Sequence, residues 1–254
     1  MKSTIVSLIT LATFLATIVT RSQTPTEDFD PLGEMQTDLP RMIRVYAEFI
    51  EMPHPTYTRL MAAPRTSTND SDLRAQCAKL IEAGEARMIE SVSVTALPGQ
   101  SAAAESIAEY IYPTEYEPPV LPNKIAAGQA PTLPYPKVPG SPPTPSAFDT
   151  KNTGTTLEVE AQIDANDPIV ELRLTPTIVY LADTRVVGTW KNEKSTVETS
   201  IPQFYVLSTK TGATLVAGEP QMIGVHSPHN ENGFMDSSRK IMLFVRADII
   251  HVGK

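Results

Sequence analysis

Apolar and polar residues alternate with a period of two along most of the chain, and that period predicts β-strands. In 42–52, Ile43, Val45, Ala47 and Phe49 fall on one side and Arg44, Tyr46 and Glu48 on the other. Pro53 ends this strand. A second strand spans 88–97 and turns at Pro98-Gly99. Further strands are predicted at 155–164, 170–175, 178–181, 185–190, 203–209, 214–216 and 240–252, with a turn cluster at 164–168. One segment has the helical period instead. Leu73, Cys77, Leu80 and Ile81 make a single stripe, Asn69 or Asp70 suits its N-cap, and Gly84 its stop. The stretch 102–111 fits either a helix, by its alanines and glutamates, or an edge strand. These elements predict an α+β fold that is predominantly antiparallel β, with one or two short helices in the N-terminal half.

Two segments break the pattern. Residues 112–146 hold eleven prolines; neither a helix nor a ladder is expected to run through them, and they read as an extended insertion. At the N-terminus, Met1-Lys2 precedes an apolar run from Ile5 to Val19, with small residues Thr20 and Ser22 ahead of a cleavage before Gln23. Residues 1–22 therefore read as a signal peptide, with an uncleaved anchor as the alternative, and 23–40 as a flexible lead-in, with one domain expected over 41–254.

Composition narrows the function classes. Hydrophobic residues make up 41% and charged residues 20%, as in a globular protein with a real core. The formal charge of −8 becomes −10 once Lys2 and Arg21 leave with the signal, and such a surface repels nucleic acid. Cys77 is the single cysteine, so no internal disulfide forms, and its place on the helix stripe makes it a small core residue.

Several stretches, in order, resemble landmarks of the C-terminal β domain of bacterial secretins, the outer-membrane gates of type II and III secretion systems. Residues 43–51 resemble its opening strand and 90–104 the segment that follows. The run 150–159, Thr-Lys-Asn-Thr-Gly-Thr-Thr-Leu-Glu-Val, is similar to the family's "VGVTLEV" motif, and 164–174 to the strand after it. Residues 209–216 with Gly218 resemble a later strand and turn, and 239–250 the terminal strand. The resemblance makes Gly154, Leu157, Val159, Gly218, Phe244 and Val245 structural motif positions. It implies a secretin-like β domain in a non-enzymatic protein with no cofactor. The implied location is the periplasm or outer membrane of a two-membrane envelope, with membrane association. The implied partners are further copies of itself in a ring, or other envelope and secretion proteins. The insertion has no counterpart in the family pattern, nor does 224–233, which stands where secretins carry an apolar Gly-Pro run. No room is seen for ring-building domains before the β domain. A second reading is an exported binding module that uses the proline-rich insertion as its contact surface.

Candidate chemistry is sparse. His226 and His229 could ligate a metal with Asp236 or Glu231, or simply form a polar turn between strands. His54 and His251 stand alone. Glu105 with Glu109, and Glu115 with Glu117, are the carboxylate pairs a glycosidase reading would need. No nucleophile-elbow, zincin, P-loop or dinucleotide motif occurs. Trp190, Tyr112, Tyr116 and Tyr135 are expected to pack under the proline-rich segment or to form an interface.

Overall fold

A computed structural model describes residues 40–64, 69–118, 141–164, 168–191 and 196–251. The expected signal peptide, nearly all of the lead-in, the middle of the proline-rich insertion and Tyr135 lie outside these residues.

The chain runs β1 (Arg41–Pro53), α1 (His54–Ala62), α2 (Ser71–Glu82), β2 (Arg87–Ala96), β3 (Ser101–Glu117), β4 (Thr144–Ile163), β5 (Ile169–Lys191), β6 (Thr196–Ser208), β7 (Thr211–Val216), β8 (Gln221–His226) and β9 (Arg239–His251). All ladders between these strands are antiparallel. One sheet has the order β2-β1-β9-β8; the other has β3-β4-β5-β6, with β7 also on β5. The fold is α+β and mostly antiparallel β.

The period-two pattern explains the main core. Ile43, Val45, Ala47 and Phe49 of β1 lie opposite Ile249, Ala247, Val245 and Leu243 of β9, which puts all of them on one face of the first sheet. That face packs on Leu157, Val159 and Ala161 of β4, on Val170, Leu172, Leu174 and Ile178 of β5, and on Leu207 and Leu215. Burial of this apolar surface, at about 25 cal/mol per Å², is the main stabilising term. The other face of the same sheet carries Ile50, Met52, Met242 and Phe244, which pack on Leu73 and Cys77 of α2. The run Ile241–Val245 is buried throughout because β9 is covered on both sides.

The α2 stripe buries Leu73 and Cys77 as its spacing predicts. Its expected cap takes another form: Asp70 accepts a hydrogen bond from the Met222 N–H of β8 (2.8 Å), while Asn69 accepts one from Ser71 N–H (3.1 Å). Gly84, at φ +74°, stops the helix. The helix α1 was not expected. Its signals are Pro55 in the first turn and a half-buried triad, Tyr57, Leu60 and Met61, at helical spacing.

Pairing with β4 resolves 102–111 as strand, because the ladder overrides alanine propensity. The same ladder corrects the expectation for the ends of the proline-rich segment. The β3–β4 ladder continues to Glu117 and begins again at Thr144, passing Pro113 and Pro145 with register shifts at Pro113/Glu115 and Glu115/Tyr116. A proline is tolerated there because each strand has an open side and the shifts absorb the missing donor. The strands expected at 170–175, 178–181 and 185–190 are one continuous β5, with irregularities at Leu181/Asp183 and Val186/Gly188.

Candidate functional site

The strands β4 and β5 are 20 and 23 residues long, far beyond the usual five or six. Only their lower parts pair with each other, from Ile163↔Val170 to Gly154↔Val179. Beyond that rung β4 pairs only with β3, and β5 only with β6, so two ribbons of two strands leave the domain. At about 3.3 Å per residue, each ribbon extends on the order of 35 Å.

Gly154 marks the point of parting. Its φ is +117°, and a Cβ there would lie 2.2 Å from the Ser106 carbonyl oxygen of β3. Only glycine fits that approach. The ribbons meet again through aromatic side chains. Phe204 of β6 lies edge-on to Tyr110 at 5.8 Å and tilted against Tyr112 at 5.6 Å. The Tyr112 hydroxyl donates to Asp149 (3.4 Å), and partial burial with that carboxylate raises its pKa. The Tyr116 hydroxyl donates to the Ser200 carbonyl (3.4 Å). Tyr112 and Tyr116 therefore pack between the two ribbons.

The ribbons leave apolar side chains uncovered among charged ones such as Glu109. Ile107 and Ile111 of β3 share a face with Phe148 of β4, and Ile111 and Phe148 are 64% and 61% exposed. On the other ribbon Leu181, Val186, Ile201 and Val206 are exposed. The outer face of the lower sheet contrasts with this: Glu158, Glu160, Glu171 and Arg173 stand in solvent there. Arg173 pairs loosely with Glu160 at 3.8 Å, a contact of little energetic weight. Each ribbon strand also has one side with no ladder among the described residues. Unpaired N–H and C=O groups beside exposed β-branched and aromatic residues make a template for further strands. No helix among the described residues is long and apolar enough to cross a membrane, which leaves strands aside.

The base of the β5–β6 ribbon holds the histidine pair. The ring of His229 lies between Tyr180 and Tyr205, 5.3 Å from each, and its Nδ1 is 2.9 Å from the Asn230 carbonyl. Burial raises the pKa of both tyrosines. His226 Nε2 is 2.8 Å from Thr209 Oγ1, and burial lowers its pKa. Asp236 binds Ser238 and Arg239, which hold its pKa down to about 2. Among the described residues no three His, Cys, Asp or Glu side chains converge as a metal site would require. A cleft of about 710 Å³ opens beside these groups, lined by Glu51, Arg87, Tyr180, His229, Glu231 and Arg239. Glu105 and Glu109 are exposed and four residues apart on one strand, about 13 Å, too far for glycosidic chemistry. Glu115 and Glu117 are exposed near the ribbon end.

The motif positions have structural surroundings. Leu157 and Val159 are buried in the sandwich core. Phe244 faces the helices and Val245 the other sheet. Gly218, at φ +84°, donates its N–H to the Ala247 carbonyl (2.8 Å). Sequence reasoning missed Tyr110, Phe148, Phe204 and the buried Glu51. Residues 149–153, Asp-Thr-Lys-Asn-Thr, are all polar, so no alternating pattern on β4 marked the first ribbon.

No family model matches the chain, and no curated protein does. Among solved structures the chain is similar to secretins. It matches the ETEC pilotin–secretin complex AspS-GspD with a TM-score of 0.39 and 15% identity, over 84% of this chain and 50% of that one. The E. coli K12 type II secretion system secretin GspD gives 0.37 and 13%, over 83% and 50%. The Salmonella SPI-1 type III secretion injectisome secretin InvG gives 0.34 and 10%, over 84% and 63%. The chain spans about half the length of the two GspD chains it matches.

Proposed function

We propose that this protein is a non-enzymatic structural or transport component of a bacterial cell envelope, of secretin type, that assembles with further copies of itself through its ribbons. The observation that carries the reading is the pair of ribbons beyond Gly154 and Val179, with open edges and uncovered Ile111 and Phe148. A two-stranded ribbon is marginal by itself in water. Strands from neighbouring copies satisfy the open edges, and a head-to-tail arrangement that closes into a ring leaves no edge at all. The resemblance of 150–159 to the family motif supports the same reading; Gly154 within it stands at the last rung that β4 shares with β5. The apolar run in 1–22 supports export to the periplasm or outer membrane. Other envelope proteins are further candidate partners, and one domain over 41–254 with an inserted proline-rich segment is the organisation proposed.

The test is the mass of the purified chain, without residues 1–22, by light scattering in buffer and in detergent. A discrete homo-oligomer in detergent is expected. A monodisperse monomer in both conditions overturns the proposal.

A further inference from the structure

Residues 227–238 connect β8 to β9, yet they do more than join two strands. They touch the base of the β5–β6 ribbon on one side and the first sheet on the other. On the ribbon side, the Tyr205 hydroxyl donates to the Ser227 carbonyl (2.8 Å), and Gln203 Nε2 donates to the Gly233 carbonyl (3.3 Å). The His229 ring is held between Tyr180 of β5 and Tyr205 of β6. Gly233, at φ +76°, lies so close that a Cβ would meet Gln203, Ala182 and Asp183 at 3.2 to 3.4 Å.

On the body side the contacts centre on one guanidinium. Arg239 Nη1 pairs with Glu51 of β1, Nε donates to Asp236 (2.9 Å), and Nη2 donates to the His229 carbonyl (3.0 Å). Glu51 is only 4% exposed, and Arg87 of β2 is its second partner at 2.6 Å. A buried carboxylate of this kind is stable only while paired. His54 N–H donates to the Ser238 carbonyl (2.7 Å), and Lys240 Nζ donates to Ser227 Oγ (2.8 Å). The segment is itself folded tightly: Asn230 Oδ1 accepts from the N–H groups of Asn232 and Phe234, and Asp236 N–H donates to the Pro228 carbonyl (2.7 Å).

We infer that residues 227–238 are a brace that fixes the angle between the β5–β6 ribbon and the body of the domain, with Arg239 as its joint and Glu51 as its anchor. The ribbon needs such a support. Past Val179 it has lost β4 as a neighbour, and its strand irregularity at Leu181/Asp183 lies beside Gly233. A free two-stranded ribbon would swing at that point. Braced, it presents its open edge in one direction, which lowers the ordering cost of any strand pairing.

Hydrogen exchange by mass spectrometry on the full chain tests this, with three variants. Gly233→Val pushes the brace off the ribbon, Arg239→Gln breaks the joint, and Tyr205→Phe removes one hydrogen bond while keeping the ring. Exchange in 180–186 and 199–206 is expected to rise at least tenfold in the first two and less in the third, with the central rungs of β1 and β9 (43–49 and 243–249), away from the Glu51–Arg239 pair, unchanged. Unchanged ribbon exchange in Tyr205→Phe and in whichever of the other two folds would overturn the brace. So would a rise that is equal in those rungs of β1 and β9, since the segment would then only support the domain as a whole. All variants are compared in the same oligomeric state, so failure of the ring reading leaves the inference intact.

Discussion

Gly154 and Gly218 both have positive φ, and they separate two costs at the residue scale. At Gly218 nothing lies within 4 Å of an added Cβ, so alanine meets only the unfavourable backbone angle. At Gly154 the same methyl meets the Ser106 carbonyl oxygen at 2.2 Å. Gly218→Ala is expected to cost about 1 kcal/mol and Gly154→Ala about 3 kcal/mol or more, because the second must also move backbone. Urea unfolding of the two variants checks the difference; equal midpoints would show that the close approach does not matter. The resemblance marked both glycines as motif positions without distinguishing them. The carbonyl that decides between them comes from a strand 48 residues earlier.

At the scale of single elements, α2 shows how far a stripe can be read. Leu73 and Cys77 are buried on the sheet as their spacing predicts. Burial pushes the Cys77 thiol up to about 11, despite the neighbouring Arg74. The thiol is therefore protonated at neutral pH and shielded, so a maleimide is expected to label it only as the domain unfolds. Labelling in native buffer at the rate of a free thiol would show that the helix layer opens locally. The cap was less legible than the stripe: whether Asp70 serves its own helix or β8 depends on where Met222 lies. The edge strand β3 was ambiguous for a similar reason. Its alanines carry no strand signal until β4 lies beside them.

The described residues combine a two-sheet sandwich with two open ribbons. The sandwich buries its apolar faces on both sides of β9. The ribbons keep Ile111 and Phe148 in solvent on one shared face, beside an open edge. Glu109 stands between Ile107 and Ile111 on that face, and further charges beside it are what discourages strand addition. The double variant Ile111→Lys/Phe148→Lys is thus expected to leave thermal unfolding within about 1 kcal/mol and to abolish assembly. Circular dichroism and light scattering read the two effects separately. Retained assembly in the double variant would place the contact elsewhere.

Alternation was enough to determine the mostly β character and the inward face of β1, and the helical period the stripe of α2. Each depends on which residues of one segment share a side, and a period of two or 3.6 fixes that locally. The parting of β4 from β5 above Gly154, the meeting of Phe204 with Tyr110 and Tyr112, and the burial of Glu51 between Arg87 and Arg239 were decided by the tertiary structure alone. They join residues dozens of positions apart, and no local period records which distant strand becomes a neighbour or where it ceases to be one.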